Sequence, residues 1–338
     1  VLVQKISILI LFLLPIACNA PAGRPIIING MTMGTVYSVT LSSEHVEKKI
    51  ELVNDINSIL DDINQKMSTY ISDSELSNIN QSSNTEWITI SEELFQVIQS
   101  AQDISAQTNG AFDITIGAIV NLWGFGSTKA MQSIPDPTKL DNVLQVSGHK
   151  NIELNEAPFS IKKSSSEIKL DLSGIAKGYA VDRIALYLDK QGIDNYLVDI
   201  GGEVKAKGLN SMAKTWRIGI EKPLTTTREI KRIISLNNMA MATSGDYRNF
   251  FDHEGIRYSH TIDPVTGWPV IFSDISVTVL NNSSMIADAL ATAIMVMGPE
   301  HGFNYAKSHD IPALFIMMKD EQLNEFFTDT FLPYLVEK

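Results

Sequence analysis

Cysteine is nearly absent from this 338-residue sequence. Cys18 stands alone, so no intrachain disulfide can form. Histidine is scarce too, and none of the six falls in an H-x-x-x-H or H-x-H arrangement, which argues against the common zinc sites. There is no G-x-x-x-x-G-K-[ST] loop and no G-x-S-x-G elbow, so the standard P-loop and hydrolase readings fail. Basic residues are outnumbered, 27 Lys and Arg against 39 Asp and Glu, and they form no run. At a formal net charge of -12, nucleic acid is not an expected partner, because a polyanion needs clustered cations to displace its counterions. A small anion such as a nucleotide would need a local device, either free backbone amides or a metal ion.

Long apolar runs are also missing beyond the N-terminus. Residues 6–14 follow Lys5 and are wholly apolar but for Ser7, too short for a membrane span and the right length for a signal-peptide core. Ala17 supplies the small residue before a cleavage site, and Cys18 comes next. The expectation is a signal peptide over 1–17, a tether over 18–25 lipidated on Cys18, and a main domain over 26–338. Pro15 stands where such signals usually carry Leu, so a plain cleaved signal with an incidental cysteine is the alternative.

The rest has ordinary globular composition, 44% hydrophobic and 20% charged. Alternating β-branched residues predict a strand over 35–40, after an Ile26-Ile27-Ile28-Asn29-Gly30 segment. Apolar steps of three and four predict helices over 44–67, 91–108, 176–190 and 284–297, the last stopping at Gly298. Further strands are expected at 196–200, 204–206, 217–220, 230–236, 239–243, 275–280 and 315–318. Residues 127–137 read as a loop, and 159–161 with 168–170 read as a hairpin around Ser164-Ser165-Ser166. This order is not a regular βα alternation. It predicts an α+β fold, a mostly antiparallel sheet with helices packed outside, in one compact domain with room for two lobes.

Two clusters stand out from ordinary Gly-Asp turns. Asp288 and Thr292 are four apart in an otherwise apolar helix, so both project from one face. A buried carboxylate is costly unless paired or bound to a cation, and a carboxylate beside a hydroxyl offers the hard oxygens that Mg2+ prefers. A hydrogen bond from Asp288 to a neighbouring loop is the competing reading. Ser173-Gly174-Ile175-Ala176-Lys177-Gly178 lies between an expected strand and helix, where free N–H groups face an anion.

Taken in order, several motifs resemble the FAD:protein FMN transferase family, the ApbE flavin transferases. They are Gly110-Ala111-Phe112-Asp113 with Asn121-Leu122-Trp123-Gly124-Phe125-Gly126, Asp171 through Gly178, His260-Thr261-Ile262-Asp263-Pro264 with Thr266-Gly267, and Asp288 through Thr292. The resemblance runs from about Met33 to Thr292. It implies a bacterial envelope enzyme, lipid-anchored on the periplasmic side of the inner membrane. Such an enzyme cleaves the FAD pyrophosphate, leaves FMN on a threonine or serine of an acceptor protein and releases AMP. Acceptors would be subunits of membrane redox complexes, such as the sodium-pumping NADH:quinone reductase. Carried over by motif, Met33, Tyr70, Ala111, Phe112, Asp113, Asp171, Lys177 and Ile262 would line the FAD site. Gly174 through its carbonyl (with Ala176 as the alternative), Asp288 and Thr292 would hold Mg2+. His260 would assist proton transfer, with Asp288 as the other candidate. An FAD pyrophosphatase and a non-catalytic FAD-binding lipoprotein are the competing readings.

Overall fold

The computed structural model describes residues 24–42, 47–128, 131–223, 229–245, 249–270, 275–319 and 322–336. The signal peptide, Cys18 and the start of the helix expected from residue 44 lie outside the described residues. In chain order the elements begin with β1 (Ile26–Thr32), β2 (Thr35–Leu41), α1 (Lys49–Met67), α2 (Glu75–Gln81), β3 (Ile88–Thr89), α3 (Glu92–Gln107), α4 (Gly117–Leu122) and α5 (Pro137–Val146). Next come β4 (Ile152–Glu156), β5 (Phe159–Lys163), α6 (Ala176–Lys190), β6 (Tyr196–Ile200), β7 (Glu203–Lys207), β8 (Trp216–Glu221), β9 (Ile230–Leu236) and β10 (Met239–Gly245). The chain ends with β11 (Phe250–His253), β12 (Ile256–Ser259), β13 (Ile275–Asn281), α7 (Ser284–Ser308), β14 (Ala313–Lys319) and β15 (Gln322–Phe327).

Eight strands form one sheet in the order β1-β2-β6-β7-β10-β13-β14-β15, every neighbouring pair antiparallel. The α+β expectation is thereby met. Side-chain alternation on the strands gives the sheet two buried faces. Ala313 and Phe315 of β14 join the core with α6 and α7, while Leu314 and Ile316 join Trp216, Ile234 and Phe331 on the other face. The central strand β13 is buried along nearly its whole length, which is why it reads as a continuous apolar run.

Helix α7 owes its position to small and apolar residues: Ala287, Ala289, Leu290, Ala291, Ala293, Ile294 and Met295 are all buried. Gly298 (φ 79°, ψ 174°) breaks it where the sequence predicts a stop, and Pro299 opens a further helical segment that the pattern does not announce. Among the described residues, no helix is long and apolar enough to cross a membrane.

Two expectations are corrected. Residues 168–170 do not pair with 159–161. β5 instead pairs with β4, across the turn at Ala157 and Pro158, and with β3 along its other edge. The backbone of 168–170 is taken by other groups: Asn80 bonds both Leu170 N (2.7 Å) and Leu170 O (2.8 Å), and Lys169 O accepts from Gly117 N (2.9 Å). The loop expected to end at Pro137 instead leads into α5, with Asp136 capping Lys139 N at 3.0 Å and Pro137 in the first turn.

One end of the sheet gathers several loops. Gly201 N donates to Val36 O at 3.1 Å, which brings the β6–β7 turn against the start of β2 and the Met33-Gly34 turn. Register then places the first residues of β7, the last of β10 and the first of β13 at this same end.

Candidate active site

Helices α6 and α7 run antiparallel across the sheet, and Gly178 lies where they meet. A Cβ at Gly178 would sit 2.3 Å from Ser284 O, so only hydrogen fits. Asp182 locks the crossing by accepting from Ser283 Oγ (2.7 Å) and Met285 N (3.0 Å) while pairing with Lys205 Nζ (2.7 Å). Ser283 in turn caps α7 by accepting from Ile286 N. One turn further along, Asp288 Oδ2 accepts from Gly178 N at 3.0 Å. Asp288 is 5% exposed.

Thr292 follows at the next turn of α7, and its Oγ1 donates to Asp288 O at 3.1 Å. The loop before α6 approaches it closely: a Cβ at Gly174 would lie 3.3 Å from Thr292 Oγ1 and 3.1 Å from Phe112 Cε2. The structure therefore brings Gly174, Lys177, Asp288, Thr292 and Phe112 together from segments distant in sequence.

Charge is unevenly balanced here. Lys177 Nζ is 3.4 Å from Glu203 Oε2 and 3.7 Å from Asp288 Oδ1. Burial pulls the Lys177 ammonium down, but Asp288 and Glu203 outweigh burial and hold it above the ordinary lysine value. Burial pushes the Asp288 carboxyl up, against the pull of Lys177 and the Gly178 amide. It also pushes the Glu203 carboxyl up, against Lys177 and with help from Asp288. Two buried carboxylates share one ammonium, and Glu203 Oε2 has no hydrogen-bond partner among the described residues. That deficit of positive charge, together with the Asp288 carboxylate, the free lone pairs of Thr292 Oγ1 and the nearby Gly174 backbone, fits a hard divalent cation. Among the described residues, no cluster of three or more His, Cys, Asp or Glu offers an all-side-chain alternative.

His260 follows β12. Its Nδ1 lies 3.0 Å from Asn249 O. A carbonyl only accepts, so Nδ1 carries the hydrogen and Nε2 keeps a lone pair. Burial lowers the His260 value; the Asn249 bond opposes this and the Lys177 charge adds to it. The imidazole is therefore neutral near pH 7 and within electrostatic reach of the Lys177 cluster. Its ring meets Phe125 edge-on at 6.4 Å, and Phe125 O accepts from the Tyr70 hydroxyl at 3.4 Å. Tyr70 is 72% exposed, a ring face open to a planar ligand. Asp171 lies near it and accepts from Ser173 N at 2.8 Å, shaping the turn into α6. Asp171 also borders a cavity of about 290 Å3 lined by Thr69, Asn80, Asn121 and Lys169 among others.

The remaining residues named from the sequence take other positions. Met33 occupies the β1–β2 turn at φ 48° and packs partly against the core. Ala111 is half-buried against the same core, next to Phe112. The carboxylate of Asp113 is engaged within its own neighbourhood, accepting from Thr115 N and Oγ1 and from His149 N. Ile262 is buried among Ile119, Trp123, Leu140 and Tyr258. Glu203 is a site residue that the sequence motifs do not single out. A carboxylate directly after two glycines at a strand start was the available signal. Trp123 is fully buried, stacked on Tyr258 and bonded from Nε1 to Gly267 O at 2.8 Å.

Residues 33–315 match the ApbE family. The chain is 42% identical over 326 residues to the FAD:protein FMN transferase of Vibrio cholerae, covering 96% of both chains. It is 40% identical over 309 residues to the FAD:protein FMN transferase of Haemophilus influenzae, covering 88% of both. Among solved structures, the flavin transferase ApbE from Vibrio cholerae matches with a TM-score of 0.85 at 40% identity, over 92% of this chain and 99% of that one. The apo flavinyl transferase ApbE of Pseudomonas stutzeri matches with a TM-score of 0.84 at 32% identity, over 92% and 97%.

Proposed function

The chain belongs to the ApbE family and is an FAD:protein FMN transferase, and we propose that it is Mg2+-dependent, acts on a threonine or serine hydroxyl of its acceptor and releases AMP. In this reaction the acceptor oxygen forms a bond to the FMN phosphorus while the bond from that phosphorus to the bridging oxygen breaks. AMP leaves with that oxygen. The observation that carries the reading is the buried Asp288 carboxylate, fixed by Gly178 N one turn from Thr292 and beside Gly174. Asp288, Thr292 and the Gly174 carbonyl would hold Mg2+, which neutralises the pyrophosphate and the charge that develops on it.

The protein's own groups do the rest. Lys177 adds a positive charge beside the phosphates, Tyr70 offers a stacking face, and Asp171 shapes the loop that leads to Gly174. His260 Nε2 takes the proton of the attacking hydroxyl, a role for which a neutral imidazole is suited. Positioning and electrostatics of this kind dominate phosphoryl-type transfer.

The N-terminal segment supports a place on the periplasmic side of the bacterial inner membrane, anchored through lipid on Cys18, where subunits of membrane redox complexes would be the acceptors. Residues 18–25 reach at most about 28 Å when extended, so the catalytic domain would stay near the bilayer. Replacing Cys18 by Ser would then move the protein from the membrane to the soluble fraction.

The transferase test mixes the protein with FAD, Mg2+ and a threonine-bearing acceptor domain from a flavinylated redox subunit. The acceptor should gain the mass of one FMN unit and become fluorescent in a gel, and EDTA should abolish both. Free FMN and AMP with an unmodified acceptor would replace transfer by hydrolysis of FAD.

A further inference from the structure

Lys177 stands between two carboxylates without closing on either. Its distances of 3.4 Å to Glu203 and 3.7 Å to Asp288 exceed the span of about 2.7–2.9 Å typical of a charge-assisted bond. Elsewhere the chain does form such bonds, Lys205 to Asp182 at 2.7 Å and Lys207 to Asp194 at 2.8 Å. Both carboxylates sit on rigid supports. Glu203 is 3% exposed and opens β7, paired in register with Ile200. Asp288 is pinned to the Gly178 amide. Lys177, on its flexible four-carbon stem, is the member free to move.

We infer that Glu203 is a positioning residue that draws the Lys177 ammonium away from Asp288, leaving Asp288 Oδ1 open to a divalent cation. This rests on Asp288 being a cation ligand. Lys177 and the cation compete for the same carboxylate oxygen. With Glu203 charged, the ammonium is shared and stands off. With Glu203 neutral, Asp288 is its only anionic partner among the described residues, and the ammonium closes to contact and occupies the ligand. Glu203 thus acts through Lys177, from a strand that contributes nothing to the set of Asp288, Thr292 and Gly174. A direct pull of the Glu203 charge on the cation would also favour binding, so a test must separate the two.

The experiment titrates MgCl2 into the full chain without FAD and reads the midpoint of its thermal stabilisation, then repeats the titration for FMN transfer. Glu203→Gln should raise the Mg2+ midpoint roughly tenfold or more in both, as expected for a competing contact ion pair in a low-dielectric site. An unchanged midpoint overturns the inference. In a Lys177→Met background the same Glu203→Gln change should shift the midpoint by no more than about threefold, because coupled residues are non-additive. A full-sized shift there means that Glu203 acts by its charge alone, and the inference fails. Glu203→Asp covers the case in which Lys177→Met does not fold. It keeps the charge but withdraws it from Lys177, so a raised midpoint supports positioning and an unmoved one overturns it. Asp288→Asn is the control. If it leaves the Mg2+ response intact, the cation site itself is wrong and the inference falls with it. If it abolishes the response while Glu203→Gln changes nothing, only the inference fails.

Discussion

The Gly178 amide donates to the Asp288 carboxylate at 3.0 Å, at the point where α6 and α7 pass closest. One residue thus sets both the helix crossing and the orientation of the buried carboxylate. A Cβ there would lie 2.3 Å from Ser284 O, 2.6 Å from Ser284 C and 2.7 Å from Met285 Cα, all backbone atoms that cannot rotate away. Helix propensity alone favours Ala over Gly by about 1 kcal/mol. Gly178→Ala should nonetheless destabilise the protein by about 2–3 kcal/mol through overpacking, and should weaken the response to Mg2+. Urea unfolding of both proteins checks this, and a stabilised variant would show that the helices can separate at little cost.

His260 gives a pH prediction with a defined sign. Burial holds its value below the ordinary 6.5, so the neutral form needed to accept a proton is already present at pH 7. At saturating Mg2+, the His260 acid limb of kcat/KM for FAD should lie below pH 6.5. His260→Ala should lower kcat by about 10²–10⁴-fold with the Mg2+ midpoint unmoved. A limb centred at or above pH 7 would assign the base to another group.

Much of the sheet was legible because its strands alternate or, like β13, run continuously apolar. The helices α1, α3 and α6 and the first part of α7 announce themselves by apolar spacing. Short elements left no such trace. In α2, α4 and β3 too few residues are present for a period to show, and residues 168–170 look like a strand yet bond to the Asn80 side chain. At the site, the spacing of Asp288 and Thr292 exposed one face of one helix. The Lys177 cluster was illegible, since a lysine in a helix gives no hint that carboxylates from α7 and β7 converge on it. Gly178 and Asp288 are 110 residues apart, a separation that local pattern does not encode.

Trp123 links that distant chemistry to a scaffold. It is fully buried, stacked on Tyr258 at 5.5 Å and edge-on to Trp268 at 5.1 Å, and its indole N–H donates to Gly267 O. Phe251 bridges from Tyr258 to Phe125, and Phe125 touches His260. Trp123→Phe removes the indole donor and leaves a void. It should cost about 2–3 kcal/mol, with kcat falling more than the KM for FAD rises, because the β11–β12 hairpin that carries His260 loses its backing. Steady-state kinetics beside thermal unfolding would separate these effects; an equal change in kcat and KM would disconnect the aromatic stack from His260.

Lys163 is a buried cation matched differently from Lys177. It is fully buried, with Nζ donating to Ile79 O at 2.8 Å and to Ser82 O and Ile168 O at 3.3 Å each. Three donors meet three carbonyls with no carboxylate among them, and burial, then the Lys169 charge, lowers its value to about 8. The ammonium ties the end of α2 to the loop before Asp171, and Asn80 in α2 holds Leu170 on both sides of its peptide. Lys163→Met keeps the stem and deletes the donors, stranding carbonyls in the interior, and should cost about 3 kcal/mol. Asn80→Ala frees Leu170 while Asp171 N still donates to Ile114 O at 2.8 Å. It should therefore cost less, about 1–2 kcal/mol, yet raise the KM for FAD more than its stability loss accounts for, because Asp171 is loosened where it shapes the turn into α6. Denaturant unfolding and FAD kinetics on the two variants distinguish the roles. If both lose stability with no change in KM, this clamp supports the fold alone and does not govern Asp171.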